Sequence, residues 1–194
     1  MIIGITGGTG CGKTTLLEVV RELGGVGLDC DRIYHELLET DPTLLARIAR
    51  RFPGTVEQGT LQRKKLGSLV FADPAALEDL NRITHQAVYS KVAALLTPPP
   101  DLAAIDAIAL FESGLYKLCR VTVAVTAPRE ARLQRIMARD GVPREYALQR
   151  VRAQQDDAFF TQRCDYTLEN DSDSNAFRKK CLAFCRTLEG WEHK

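Results

Sequence analysis

The sequence predicts an α/β fold, a parallel sheet flanked by helices, and three observations carry that prediction. The chain opens on the apolar run 1–5, which passes through the stretch Thr6-Gly7-Gly8-Thr9-Gly10-Cys11-Gly12-Lys13-Thr14-Thr15 into an amphipathic segment. Short apolar runs return at 26–28, 102–111, 121–126 and 166–168. The segments between them carry helical spacing, so strand and helix signals alternate along the whole chain.

Residues 1–5 are apolar at both alternations, which suits a strand covered on both faces. Leu16, Val19, Val20 and Leu23 then recur at i, i+3, i+4 and i+7, one face of a helix. Between them Gly7 to Thr14 fits G-x-x-x-x-G-K-[ST], the phosphate-binding P-loop, in the strand–loop–helix setting that the motif requires. Backbone N–H groups of the loop and the helix N-terminus form an anion cradle, and side chains there obstruct the approach. Gly8, Gly10, Cys11, Gly12, Lys13, Thr14 and Thr15 are therefore the expected ATP-binding residues. Lys13 reaches the β- and γ-phosphates, and the Thr14 hydroxyl is the expected ligand of Mg²⁺. A chance glycine-rich turn would not come with complete motif and correct flanks. Cys11, inside the loop near a helix N-terminus, is expected to have a lowered thiol pKa and to react with thiol reagents.

Residues 26–28 form a second strand, ending in Asp29-Cys30-Asp31. A helix follows through Ile33, Leu37 and Leu38 to Thr40, then another from Pro42 to Arg51, closed by the turn Pro53-Gly54. From 61 to 96 the pattern is wholly helical, with no strand candidate. Pro98-Pro99-Pro100 reads as a rigid connector. Residues 102–111 resume the sheet and 121–126 continue it with β-branched residues. Pro128 starts a helix, Gly141-Val142-Pro143 breaks it, and a further helix runs over 144–157. A short strand at 166–168 and a helix over 176–188 close the chain. The expected organisation is a nucleotide-binding core, 1–60 and 101–194, a helical insert over 61–100, and a lid over 139–150 within the core. Ordinary helical crossover packing is the competing reading of the insert.

The 194 residues suffice for one sizeable core, and a net charge of +1 argues against a nucleic-acid partner. No apolar run approaches the ~20 residues that cross a bilayer. The first strand begins at once, leaving no space for a signal peptide, and six cysteines without CxxC spacing read as reduced thiols. A cytoplasmic enzyme, monomeric or weakly homo-oligomeric, with no membrane partner, is the expectation.

A P-loop alone does not specify a reaction. No NKxD is present for guanine, and the chain is too short for a motor, which leaves a small-molecule kinase. In open α/β sheets ligands bind at the carboxyl ends of strands, where Asp29 and Asp31 stand. Helix capping is the alternative use of such an aspartate, and one of the two can serve each role. Arg132, Arg135 and Arg139, at i, i+3 and i+7, share one helix face. A solvated charged stripe is the usual meaning of that spacing; leading into a Gly-Pro break, it also suits a mobile lid over the phosphates.

At this point the residues resemble a known family, dephospho-CoA kinase. "GITGGTGCGKTT" resembles its nucleotide loop, and "LDCDRIYHELL" its strand-end D-x-D with the following helix. "LGSLVFADPAALEDLNRITHQAV" resembles its helical CoA domain, "ALFESGL" its L-F-E segment, "RLQRIMARDG" its lid helix and "CDYTLEND" its late strand. The chain departs from the family pattern at Cys30, Gln62, Gln86 and Ile108, where alanine, aspartate, proline and proline are usual. The resemblance implies a P-loop NTPase-type sheet with a helical acceptor-binding insert and a lid. It implies transfer of the ATP γ-phosphoryl to the ribose 3′-hydroxyl of dephospho-CoA. Under it Asp31 is the candidate base and Asp29 a supporting carboxylate, with Lys13 and Arg139 at the phosphates. Asn81, His85 and Glu112, the last expected at a core strand end, face the acceptor. A nucleoside or nucleotide kinase with similar lid mechanics, and a nucleotide-dependent regulatory protein without transfer activity, remain alternatives.

Overall fold

The computed structural model describes residues 1–188. These pack as two compact units, one of 1–28, 98–111 and the described chain from 115 onward, the other of 29–97 and 112–114. The last six residues of the expected core, 189–194, lie outside the described residues.

The first unit is built on a five-stranded sheet. Its strands are β1 (Ile2–Thr6), β2 (Val26–Asp29), β5 (Ala103–Asp106), β6 (Val121–Thr126) and β7 (Tyr166–Glu169), in the order β2-β5-β1-β6-β7. Two further strands, β3 (Val56–Glu57) and β4 (Thr60–Leu61), belong to the second unit. β1 pairs in parallel with β5 and with β6, bringing Ile5 opposite Asp106 and Val123, and β6 pairs in parallel with β7. Helices α1 (Lys13–Glu22) and α9 (Ser174–Thr187) pack together on the sheet. Ile3, Ile5, Leu16, Val20, Val125 and Phe177 are buried in the core they enclose. Each such side chain contributes roughly 1.5–3 kcal/mol by leaving water. β1 lies in the middle of the sheet, so the loop that leaves its carboxyl end is anchored by a strand buried from Ile3 to Thr6.

The apolar run 102–111 is a strand only as far as Asp106; the chain then turns away from the sheet toward a 3-10 turn, Leu115–Leu118. Leu110 is fully buried although it is not in a strand, and Tyr116 N–H donates to its carbonyl at 3.2 Å. An apolar run records burial, and here burial continues after pairing has ended. Past β6, helix α6 (Arg129–Asp140) ends on Gly141, whose φ is +64°. The expected single helix over 144–157 is two, α7 (Arg144–Arg152) and α8 (Asp157–Thr161), the second capped by Asp156 accepting from Phe159 N–H at 2.8 Å.

The second unit comprises α2 (Cys30–Thr40), α3 (Pro42–Arg51), a two-stranded antiparallel hairpin β3 (Val56–Glu57) and β4 (Thr60–Leu61), α4 (Arg63–Ala72) and α5 (Pro74–Leu95). Helices α2, α3 and α4 all pack on α5. The helical unit thus takes in α2 and α3 as well as residues 61–97, because Leu37, Leu44 and Ile48 bury against the same long helix system, while 98–100 fall to the first unit. The wholly helical pattern expected from 61 is corrected by β4, where Thr60 and Leu61 pair across a turn containing Gln58 at φ +50° and Gly59 at φ +76°. Two residues per strand are too few for alternation to be visible. Asp73 divides the remaining helical block by capping α5, accepting from Ala75 N–H at 2.9 Å, with Pro74 at the first helical position.

Candidate functional site

On the side of the first unit, the loop between β1 and α1 needs glycine for two different reasons. Gly7 has φ +134°, and a Cβ on it would stand 2.1 Å from the Val125 carbonyl oxygen, a backbone atom that cannot yield. Gly12 has φ +103°, and a Cβ there would stand 2.3 Å from Asn170 Nδ2. Gly12 also occupies the N-cap of α1 without any side-chain cap, and the first turn holds no acidic residue. The first N–H groups of α1 therefore have no side-chain acceptor, and the positive end of the helix is left to an incoming anion. Gly8, Gly10 and Thr15 are part of this loop and its helix start, and Thr14 is exposed at the first turn.

Lys13, on the same turn, lies 3.9 Å from Asp106 Oδ1, with both side chains largely enclosed. Asp106 ends β5 and is one register step from the β1 carboxyl end. It is a candidate that the sequence reading missed. Its signal was present, an apolar run terminating on an aspartate, but the run was taken five residues too far.

The arginines of α6 are graded by depth. Arg132 is buried; its Nε donates to the Thr9 carbonyl at 3.0 Å, and its guanidinium also reaches Gln154 Oε1 at 3.3 Å and Asp157 at 3.4 Å. Arg135 donates to the Gly10 carbonyl at 3.2 Å and to Asn170 Oδ1 at 3.0 Å. Asn170 in turn donates to the Cys11 carbonyl at 2.8 Å. Gln154 clamps Thr9 twice, accepting from its N–H at 2.8 Å and donating to its hydroxyl at 2.6 Å. Arg132, Arg135 and Asn170 thereby hold the Thr9, Gly10 and Cys11 carbonyls, while Gln154 engages the Thr9 N–H and hydroxyl. Gln154 and Asn170 were not singled out from sequence, because they come from about 145–160 positions away.

Arg139 is placed differently. It is exposed, and its Nε and guanidinium donate to Asp140 at 2.7 and 3.0 Å, while Arg150 donates to the same carboxylate at 2.5 Å. Those hydrogen bonds, that from Arg139 foremost, hold the Asp140 carboxyl below its usual range.

Cys11 corrects an expectation. Its side chain is fully buried, and burial pushes the thiol pKa up, outweighing the lowering by Arg132. A neutral, enclosed thiol is a poor nucleophile. Alkylation of the native protein with iodoacetamide at pH 8, followed by peptide mass spectrometry, should leave Cys11 unmodified with or without nucleotide. Rapid labelling of Cys11 that a nucleotide suppresses would restore the reactive-thiol expectation.

On the side of the second unit, Asp29 ends β2 and caps α2, its Oδ1 accepting from Arg32 N–H at 3.0 Å. Asp31, in the first turn of α2, is exposed and makes no side-chain hydrogen bond or ion pair among the described residues. Asn81 and His85 stand one turn apart on α5, Asn81 exposed and His85 half-buried. Burial lowers the His85 pKa, opposed by the Glu112 charge and by a hydrogen bond to the Glu112 backbone. The imidazole is thus neutral near pH 7. Glu112 is not at a strand end as expected. It lies in the turn beyond β5, exposed, and joins the helical unit beside His85.

Comparison with known proteins follows the same lines. A family model described as dephospho-CoA kinase matches residues 1–176. The dephospho-CoA kinase of Syntrophotalea carbinolica is 34% identical, over 97% of this chain and 92% of its own. That of Anaeromyxobacter dehalogenans is 36% identical, over 97% and 92%. A crystal structure of a Thermus thermophilus protein matches with a TM-score of 0.78 at 33% identity, covering 97% of this chain and 98% of that one.

Proposed function

We propose how this chain, which belongs to the dephospho-CoA kinase family, divides among its residues the ATP-dependent phosphorylation of dephospho-CoA to coenzyme A. The observation that carries the reading is the uncapped α1 N-terminus under a glycine loop, with Lys13 beside a buried carboxylate at the carboxyl end of the sheet.

Gly8, Gly10, Cys11, Gly12, Lys13, Thr14 and Thr15 bind the ATP phosphates, mainly through backbone N–H groups, with the Lys13 ammonium on the β- and γ-phosphates. Lys13 exchanges part of its contact with Asp106 for phosphate as ATP enters. Mg²⁺ is the metal that the donor set suits, with the Thr14 hydroxyl as ligand and Asp106 beside it, both hard oxygen donors. Bound there, it would neutralise charge on the β- and γ-phosphates. Asp31 is the base. It orients the ribose 3′-hydroxyl and accepts its proton, as that oxygen bonds to the γ-phosphorus and the bond to the β–γ bridging oxygen breaks, releasing ADP. Its lack of a side-chain hydrogen bond or ion pair among the described residues supports this choice over Asp29, which is engaged as a cap and is the supporting carboxylate. Asn81, His85 and Glu112 bind the acceptor, and a neutral His85 is suited to hydrogen bonding rather than to charge pairing. The core, the helical insert around 61–100 and the 139–150 lid act as the three working parts.

Arg139 is the proposed lid arginine, since its exposed ion pair with Asp140 can be exchanged for phosphate without exposing a buried group. Arg132 and Arg135 instead maintain the loop. Arg139→Ala should lower kcat at least about tenfold with ATP affinity nearly unchanged. Arg132→Ala should weaken ATP binding first. Equal small effects at all three arginines would return them to a solvated stripe.

No helix among the described residues is long and apolar enough to cross a membrane. We read the enzyme as cytoplasmic, monomeric or weakly homo-oligomeric, with small-molecule substrates and no nucleic-acid partner. The test is coupled ADP release with dephospho-CoA against a panel of nucleosides and nucleotides. Release confined to dephospho-CoA is expected. Preference for a nucleoside would favour the nucleotide-kinase alternative, and no release with any acceptor the regulatory one.

A further inference from the structure

A strongly charged groove in the helical unit is used by none of these roles. Arg47, Arg50 and Arg51 stand at i, i+3 and i+4 on α3, and Arg82, Ile83 and Gln86 on α5 complete a groove of about 300 Å³. Taking about 100° per residue around α5, Arg82, Gln86 and Ile83 stand roughly 60°, 100° and 160° from His85, so the groove begins beside the acceptor face of that helix and extends away from it.

Four guanidinium groups here meet one carboxylate. Asp79 accepts from Arg51 at 2.6 Å and also from Arg82. Arg47 donates to the Gln86 side-chain carbonyl at 2.6 Å. Arg50 makes no side-chain hydrogen bond or ion pair among the described residues. The hydrogen bonds from Arg51 and Arg82 draw the Asp79 carboxyl below its usual range. Favourable interaction with the carboxyl end of α3 accounts for Arg50 and Arg51 alone. It accounts neither for Arg82, contributed by another helix, nor for the Arg47–Gln86 bond. The Gln86 side-chain carbonyl holds Arg47 over the groove. Like charges assembled on two helices with a single counter-charge repel in the empty protein. Planar guanidinium forks arranged in this way match phosphate oxygens bidentately.

We infer that the α3–α5 groove binds a diphosphate group, engaged by Arg47, Arg50, Arg51 and Arg82. A diphosphate fits the surplus of about three positive charges better than a monophosphate does. Its source is either the diphosphate bridge of the acceptor or a free diphosphate that modulates the enzyme. The acceptor source rests on the kinase reading above; the binding site itself does not.

The test is calorimetric titration of inorganic pyrophosphate into the full chain saturated with Mg·ADP, which fills the P-loop. Saturable binding is expected, weakened at least about tenfold in Arg47→Ala/Arg50→Ala, the size of losing charged hydrogen bonds. Arg50→Gln, which breaks no side-chain hydrogen bond or ion pair among the described residues, should also weaken it while the thermal midpoint changes little. Absence of saturable binding to the wild type, equal binding to both variants, or equal competition by sulfate at matched ionic strength would each overturn the inference. KM for dephospho-CoA in the same variants separates the sources: a rise of about tenfold identifies the acceptor's own diphosphate, and an unchanged KM a free one. Loss of pyrophosphate binding with dephospho-CoA-dependent ADP release intact would remove the groove alone and leave the kinase reading standing.

Discussion

Lys13→Ala is expected to lower kcat/KM for phosphoryl transfer by about 10³-fold, roughly 4 kcal/mol of transition-state stabilisation. In the proposed site the loop N–H groups supply dipoles, while the ammonium supplies a full protein charge on the β- and γ-phosphates. Removing it leaves the cradle intact, so nucleotide binding should persist, weakened, with the chemical step suffering most. A second consequence follows from the position of Lys13 beside Asp106, 3.9 Å away and largely enclosed. Truncation removes the Lys13 ammonium from beside that enclosed carboxylate, and taking a cation away from an enclosed charge is costly. The variant should therefore also unfold at lower denaturant concentration, and Asp106→Asn in the same background should return part of that loss without restoring transfer. Steady-state ADP release together with equilibrium unfolding separates the two effects. Turnover near the wild-type rate with Mg·ATP would mean that the loop does not hold the transferring phosphoryl.

Asp31→Asn is expected to reduce kcat with dephospho-CoA by about 10²-fold, at the low end of general-base contributions. The transition state is largely dissociative, so part of the role of Asp31 is orientation, which asparagine retains through its carbonyl oxygen. ATP affinity should change less than about twofold, because Asp31 lies outside the phosphate loop. Asp29→Asn is the informative partner. Asp29 caps α2 by accepting from Arg32 N–H, so its loss of charge should appear mainly as reduced stability, within about 1 kcal/mol. Pre-steady-state measurement of the chemical step in both variants decides the assignment. If Asp31→Asn keeps most of its rate while Asp29→Asn loses it, the base is the capping aspartate.

Both variants concern residues that were visible in the linear chain, and the reason is physical. The phosphate loop is local: strand, glycines, lysine and helix start lie within consecutive residues, so spacing alone announces them. The same is true of the central strands, whose burial on both faces writes continuous apolar runs, and of α5, whose start is marked by Asp73-Pro74. Long-range dependence hid the rest. The strand at 103–106 was read to 111 because Leu110 is buried by turns that composition cannot distinguish from pairing. The β3–β4 hairpin is too short to show a period. Arg132, Arg135 and Arg139 are equivalent in a spacing rule, yet only contact with Thr9 and Gly10, more than 120 positions away, makes the first two loop supports. Cys11 was expected to be acidified by its helix terminus. Enclosure by the core reversed the sign of that shift, because desolvation of a thiolate outweighs a nearby dipole. The sequence by itself determined the alternating α/β architecture, the phosphate cradle and the candidate chemical groups, since each is encoded by neighbours along the chain. Tertiary structure alone decided which of those groups are buried, which are engaged by partners distant in sequence, and where strands stop, since burial and hydrogen bonding depend on residues that only folding brings together.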